Sequence, residues 1–376
     1  MHIPSLHLLH FRLDHKLKEI YLSIFVRALA ISMIGIFIPI YLIREMNYTL
    51  QHVLLFYIIF SIALGVFTIF TAKISNKIGF KYCILFSAPI YLLFYCLLYY
   101  LKQVDISLYY IAIIGALANS LYWIAFHSTF ARYSNADHMG EQIGVWYSIA
   151  IFIGLLGPLI GGIILTFFNY KILFIFVSMV LVLSVIPMFM FKTKHEEQEY
   201  HIKNIFKRNY LRDIPAFIGY GARGDAQAVL LPLFVFFLLK KYLYLGFISS
   251  GVGFFTAIFT FMIGRTSDVH DKRKLIRLGT FLSALSWMIL LFAKNLWQLF
   301  IIATLAGISF TMVDVPFSAL TYYKANKNKS VTEYLVFREL ILSCGRIFLL
   351  SSVLVLNSLS SGFIFSAIAT LLHLTF

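Results

Sequence analysis

Long apolar runs recur along this chain, with short polar breaks between them. Twelve can be marked: residues 20–42, 53–72, 82–101, 107–130, 143–168 and 172–191, then, after a polar stretch at 192–213, residues 214–239, 245–263, 275–293, 296–322, 334–356 and 360–374. Most reach the roughly 20 residues that a helix needs to cross the hydrocarbon core of a bilayer. A membrane β-barrel would instead alternate apolar and polar positions over segments of about ten residues, and that alternation is absent. The pattern predicts an all-α polytopic membrane protein with 12 transmembrane helices, numbered here span 1 to span 12. Six runs, a charged linker and six more runs divide the chain into an N-terminal segment (1–19), a first bundle (20–191), a linker (192–213) and a second bundle (214–376). Residues 1–19 mix His7, His10, Arg12, His15, Lys16 and Lys18 with leucines, as a short amphipathic helix on the membrane surface does. The histidines there read as solvated tail residues, not as a metal site.

The two sets of six look like copies of one unit. A charge-dense loop, Gly264-Arg265-Thr266-Ser267-Asp268-Val269-His270-Asp271-Lys272-Arg273-Lys274, follows the second run of the second set. A paler version, Ala72-Lys73-Ile74-Ser75-Asn76-Lys77-Ile78-Gly79-Phe80-Lys81, follows the second run of the first. Pro39 in span 1 matches Pro232 in span 7. Setting Gly115 of span 4 against Gly307 of span 10 brings Arg132 opposite Lys324, and Glu141 and Glu333 both open the following span. A duplicated membrane bundle leaves this kind of trace.

Composition and charge fix the solvent and the orientation. The chain is 61% hydrophobic and only 12% charged, where soluble domains carry about 25% charge. A net charge of +15 would suggest nucleic acid in a soluble protein. Here it has another cause, because basic residues hold loops on the cytoplasmic side. With both termini inside, 21 of the 31 Lys and Arg fall in inside segments and 6 in outside loops, and the remaining four are arginines within the runs. Cys83, Cys96 and Cys344 sit in apolar runs without pairing or metal spacing.

These residues resemble the major facilitator superfamily over nearly the whole chain. The family's loop signature is a Gly, a small-residue step, an acidic residue, then Gly-Arg and basic residues. The second copy keeps Gly264, Asp268, Arg273 and Lys274 with one extra residue. In the first, Ala72 replaces the Gly, Asn76 the Asp and Phe80 the Arg, while Lys77, Gly79 and Lys81 follow the pattern. The resemblance implies two pseudo-symmetric six-helix bundles and a cytoplasmic gate built from Asn76, Lys77, Gly79, Lys81, Arg132, Gly264, Asp268, Arg273 and Lys274. An acidic side chain near a helix N-terminus gains from the helix dipole. Asp268 has that charge to offer at the start of span 5, and Asn76 does not. In span 5, Gly154, Gly157, Pro158, Gly161 and Gly162 are similar to the family's antiporter motif, common among exporters. Gly-x-x-x-Gly steps also serve plain helix packing. The resemblance further implies that spans 1, 4, 7 and 10 line a central cavity, with spans 2, 5, 8 and 11 beside the interface between halves.

Ionisable groups inside a membrane are costly and mark function by default. This chain has Arg27, Arg223, Asp225, Asp314, Arg338, Glu339 and Arg346. Arg223 and Asp225 point about 200° apart on an ideal helix, so they share a cavity only if Gly219, Gly221 and Gly224 loosen span 7. Otherwise each pairs with another span. Asp225 and Asp314, on implied cavity spans beside Gly or Pro, are the expected proton carriers, with Arg27 or Arg223 as the switchable cation. A neighbouring arginine would instead hold such an acid as a structural ion. Glu339 and Arg346, two turns apart, are expected to find partners on another span or on a substrate rather than each other. Gln227 adds a polar group to span 7. Asn119, Tyr122 and Trp123 of span 4 offer an amphipathic wall for an organic ligand, or pack between helices, and His127 nearby reads as a packing residue.

The expected function is a secondary transporter that moves a small, amphipathic organic solute by alternating access, driven by protons. The span 5 motif favours efflux, and proton-coupled uptake is the second direction. No His-Glu-x-x-His, Gly-x-Ser-x-Gly or Walker A sequence is present, so an enzyme is not expected, and a passive scaffold would not need seven intramembrane charges. No cofactor, metal or nucleic acid is expected. The partners are the solute, protons and lipid, and the protein is expected to act as a monomer in the inner membrane of a prokaryote.

Overall fold

The computed structural model describes residues 15–104, 106–133, 139–187, 200–269, 271–327 and 331–376, and the regular structure in them is helical throughout. Span 1 runs as His15–Gly35 and Ile38–Arg44, span 2 as Leu50–Ile78, span 3 as Phe80–Tyr99 and span 4 as Leu108–Tyr133. Span 5 is Met139–Gly154 and Leu156–Phe167, and span 6 is Tyr170–Leu183. Span 7 is Ile214–Asp225, a π-helical turn at Ala226–Leu230, and Leu231–Leu239. Spans 8 to 12 are Tyr242–Val269, Lys272–Leu290, Leu296–Lys327, Val331–Leu356 and Leu359–Leu371. Nine stretches among the described residues are long and apolar enough to cross a membrane, and spans 6 and 12 are shorter apolar helices. One expectation changes at the start. Residues 15–19 belong to span 1 rather than to a separate surface helix, and residues 1–14 lie outside the described ones.

Three prolines explain three interruptions. A proline has no N–H to give to the carbonyl four residues back, and its ring crowds that carbonyl. Pro39 faces Gly35, where the first helix of span 1 stops. Pro158 faces Gly154, where the first helix of span 5 stops. Pro232 faces Ala228, inside the π turn of span 7. The sequence leaves open whether the glycines before Asp225 loosen span 7 or Arg223 and Asp225 pair with other spans. The helix runs through them and the two charges pair with different spans, while the irregular turn comes after, at Pro232. Two of the glycines serve packing: a Cβ on Gly221 would meet the Leu342 carbonyl oxygen at 2.0 Å, and one on Gly219 the Ala369 carbonyl oxygen at 2.3 Å, whereas Gly224 has open space around it.

Spans 2 and 11 pack together across the halves, and so do spans 5 and 8. Buried apolar side chains form two clusters. One lies toward the ends away from the linker (Phe37, Leu98, Leu233, Trp287), the other toward the linker ends (Phe130, Phe217, Tyr322, Tyr334). Large apolar side chains such as Phe70, Tyr110, Phe167 and Phe292 are exposed on the outside. Such a belt is unfavourable in water and natural against lipid. Between the two clusters lies a level of polar side chains, and the site is built there.

Candidate functional site

A cavity of ≈ 390 Å³ opens between the halves at that level, walled by spans 2, 4, 5, 7 and 11. The first half contributes neutral groups: Tyr57, Ser61, Asn119, Trp123, His127 and Tyr147. The second contributes the charges: Asp225, Arg338, Glu339 and Arg346. A second cavity of ≈ 350 Å³ shares Ala228 with it and extends away from the linker between spans 1, 7, 8 and 10, with Gln227 on its wall. The expected lining by spans 1, 4, 7 and 10 is therefore corrected in part. Spans 2, 5 and 11 supply much of the first cavity, while Arg27, Tyr122, Arg223 and Asp314 are absent from both walls.

The second-half charges fall into two groups. Arg223 pairs with Asp314 of span 10, with the Tyr220 and Phe310 rings 4.9 and 4.8 Å from its guanidinium carbon. Asp225, two residues on, turns to span 11, where its carboxylate lies 3.8 Å from Arg346 Nε. Arg346 Nη1 in turn donates to Glu339 Oε1 at 2.8 Å. The expectation that Glu339 and Arg346 would not meet is wrong. Two turns separate their backbones by about 10 Å, but helical side chains lean toward the N-terminus. Arg346 therefore reaches back along its own helix to Glu339. Arg338, next to Glu339 in sequence, has no carboxylate partner among the described residues, and its Nε has no polar partner.

Arg27 is held differently. It is 2% exposed, between spans 1, 3 and 4. Its guanidinium carbon lies 3.6 Å from the Tyr122 ring centroid and 4.4 Å from that of Tyr91, and Nη1 donates to Ser87 Oγ at 3.5 Å. Two aromatic faces offset the buried charge in place of a carboxylate. Tyr122 is thus a support for Arg27 and not a cavity wall.

Gate residues meet the opposite half through neutral bonds at the linker end. Thr332 Oγ1, in the first turn of span 11, donates to Asn76 Oδ1 at 3.3 Å. His127 Nδ1 and the Tyr322 hydroxyl lie 2.6 Å apart, and Asn326 Nδ2 donates to the Ala131 carbonyl at 2.6 Å. Asn76 therefore reaches the start of span 11 without a charge. Gly79 ends span 2 at φ 98°, a conformation that side-chain-bearing residues rarely adopt. Lys77 is exposed, and Lys81 opens span 3 beside Phe80. Gly264 lies against Gly144, where a Cβ would come within 2.5 Å of the Gly264 Cα. Asp271 caps span 9 by accepting from the Arg273 N–H at 2.9 Å, and Lys274 follows in the same turn. The side chains of Arg132 and Asp268 lie outside the described ones.

The span 5 motif packs two ways. A Cβ on Gly157 would strike Ser32 Oγ at 1.9 Å, and one on Gly161 the Met33 carbonyl oxygen at 2.2 Å, both on span 1. Gly162 and the Pro158 carbonyl lie against Tyr242 and Gly246 of span 8, in the other half. Gly154 has room, since a Cβ there would sit 3.8 Å from Ser32 Cβ. Sequence reasoning missed Tyr57, Tyr147 and Tyr220. In a chain that is 18% aromatic, nothing marks a tyrosine as facing a cavity until the helices are placed.

The sequence pattern of the Major Facilitator Superfamily matches residues 20–239 and 216–376. Over 256 residues the chain is 24% identical to the uncharacterized protein YqgE of Bacillus subtilis strain 168, a match that spans 63% of this chain and 59% of that one. Among solved structures, the human organic anion transporter MFSD10 superposes with a TM-score of 0.71, over 95% of this chain and 97% of the other, at 11% identity. The transporter FucP in its outward conformation, a fucose:proton symporter of E. coli, gives 0.68 with the same coverage and identity. At such identity the likeness is one of fold.

Proposed function

The chain belongs to the major facilitator superfamily, and from that premise we propose a proton-coupled transporter that moves a small amphipathic organic solute by alternating access through the cavity between its halves. Its membrane is the inner membrane of a prokaryote, with the linker end cytoplasmic, as the 21-to-6 distribution of basic residues supports. One chain holds the whole cavity, which supports action as a monomer.

The observation that carries the coupling is the Asp225–Arg346–Glu339 cluster on the cavity wall. One cation serves two acids, so the fully ionised three-residue cluster, taken without the Arg338 that lines the same wall, holds one negative charge in excess. Taking up one proton neutralises it. Asp225, at 3.8 Å, is the acid that Arg346 holds less closely, since Glu339 is at 2.8 Å. We therefore assign the proton to Asp225. Asp314, the other acid favoured by the sequence, is engaged by Arg223 and acts as a structural ion. Rocking the halves apart at the linker end hydrates the cluster, favours the ionised form and releases the proton.

Direction follows from the sign of the solute's charge. A cation competes with the proton for the acids and would leave in exchange for it. An anion is favoured by the proton's presence and would enter with it. The export expectation draws on span 5, but its glycines are already accounted for by contacts with spans 1 and 8.

Vesicles loaded with the pH dye pyranine and carrying the purified protein test this. Benzenesulfonate or trimethylphenylammonium is added outside. Acidification of the lumen reads co-transport and alkalinisation reads exchange. Asp225→Asn should abolish the proton signal while solute counterflow persists. Proton flux equal to wild type in Asp225→Asn would overturn the assignment.

A further inference from the structure

The intramembrane charges among the described residues do not balance. Arg223 holds Asp314, and Arg346 holds Glu339 and Asp225. Those five groups leave two arginines without a carboxylate, Arg27 and Arg338. Arg27 is closed inside the first bundle, between the Tyr91 and Tyr122 rings. Arg338 is different. It is 6% exposed, lines the ≈ 390 Å³ cavity beside the Tyr220 ring, 5.8 Å from its guanidinium, and pairs with no carboxylate among the described residues. Its buried Nε has no hydrogen-bond partner, and a buried charged group left short of partners is costly unless something satisfies it.

We propose that Arg338 is the anchor for the anionic group of the transported solute, which is therefore an organic anion with an apolar or aromatic body. This rests on the proposed transport through the same cavity. The walls around the anchor fit that chemistry. Asn119 and the Tyr147 hydroxyl add neutral polar groups suited to an oxyanion, and Trp123, Phe60 and Leu342 form an apolar wall for the body. A planar guanidinium binds carboxylates, sulfonates and phosphates through paired donors, in a way that a lone ammonium does not. The first half offers no acid to the cavity, and both second-half acids there already share Arg346. An organic cation would have to displace that arginine, whereas an anion meets a guanidinium that no described carboxylate holds. With an anion at Arg338 and a proton at Asp225, each charge favours the other's binding, so solute and proton travel together.

The test is equilibrium binding to the purified full chain at one pH with no gradient, using three probes of one size: benzenesulfonate, benzenesulfonamide and trimethylphenylammonium. Benzenesulfonate should bind most tightly and the ammonium least. Arg338→Gln should weaken sulfonate binding by roughly tenfold or more, and Arg338→Lys should keep part of it, since the charge remains but the paired donors do not. Sulfonate binding that is unchanged in Arg338→Gln, or that is no tighter than ammonium binding in the wild type, overturns the proposal. So does a wild type that binds none of the three. If Arg338→Gln cannot be recovered folded, the wild-type ranking and Arg338→Lys decide. The coupling proposal fails separately: sulfonate that binds without moving protons in vesicles sinks the role of Asp225 and leaves the anion site standing.

Discussion

Spans 5 and 11 are one element in two copies, put to opposite uses. The register that sets Gly115 against Gly307 and Glu141 against Glu333 also sets Tyr147 against Glu339, Gly154 against Arg346 and Pro158 against Leu350. Span 5 is Gly-rich and pressed against spans 1 and 8, while span 11 turns its charges to the cavity. The same register sets Tyr122 against Asp314. One holds Arg27 by its ring face, the other holds Arg223 as an ion pair. The pairs Arg223–Asp314, Lys324–Asp213 and Asp225–Arg346–Glu339 all lie within the second half and its linker. Across the halves, the described residues make neutral polar contacts: Asn76 with Thr332, His127 with Tyr322, Tyr147 with Ser318 at 3.0 Å. An interface that opens on every cycle is well served by this division. Breaking a buried ion pair costs about 3–5 kcal/mol, against roughly 0.5–1.5 for a neutral hydrogen bond. The charges can change surroundings as the halves rock without being torn from their partners.

The largest expected effect removes the packing side of that comparison. Gly161→Leu should yield no monodisperse folded protein by size-exclusion chromatography, because even a methyl there would lie 2.2 Å from a span 1 carbonyl oxygen and 2.7 Å from Phe37. Gly154→Ala, where the nearest atom is 3.8 Å away, should behave as wild type. If both are equally tolerated, span 5 is not held by close backbone approach. Next comes the charge side. Asp314→Ala should destabilise the protein by about 3–5 kcal/mol, since it strands Arg223, which is 3% exposed. Arg223→Met combined with Asp314→Leu should recover most of the loss. A double variant as unstable as the single one would mean that the pair is not the unit.

The duplication, the number of spans and the fold are legible in the sequence because they depend on run length, charge distribution and recurring Gly and Pro, which are local properties. The π turn in span 7 is half legible. Pro232 announces an interruption, but the glycines before Asp225 draw attention to the wrong turn. The partners of the charges are not legible. Arg223 and Asp225 are two residues apart and choose different spans, Asp314 on one and Arg346 on the other. That choice is made by how three helices sit together. Glu339 and Arg346 fail for a simpler reason: backbone spacing alone ignores the reach and lean of a long side chain. Arg338 carries no sequence signal that separates it from its paired neighbours, since being unpaired is a property of everything around it.

A smaller effect is expected where the first half uses rings instead of acids. Tyr122→Leu should destabilise the protein by about 2 kcal/mol through loss of the ring face over Arg27, and Tyr122→Phe by less than about 1, since the face remains. Thermal unfolding in one detergent checks both. Should Tyr122→Phe prove as damaging as Tyr122→Leu, the hydroxyl and not the ring face is what supports Arg27, and the contrast with Asp314 loses its meaning.

The smallest effect concerns the neutral gate. Asn76 is 2% exposed, and its side-chain oxygen accepts from Thr332 in the first turn of span 11. Asp268 stands at the matching place in the second copy. Asn76→Ala removes one buried hydrogen bond, worth about 1 kcal/mol, or roughly a fivefold shift toward an opened linker end. Hydrogen exchange should then quicken in the first turn of span 11 and the last turn of span 2, with little change elsewhere. Thr332→Val should give the same pattern, and the double variant should add less than the sum of the two, because both remove the Asn76–Thr332 bond. Asn76→Asp works the other way. It restores a negative charge near the N-terminus of span 11, where the helix dipole favours it by about 0.3–1 kcal/mol, so exchange there should slow. If Asn76→Asp instead quickens exchange, the carboxylate is poorly accommodated among its buried neighbours. The neutral residue would then be required by the packing of the first copy, and would not be a weakened form of the acidic one in the second.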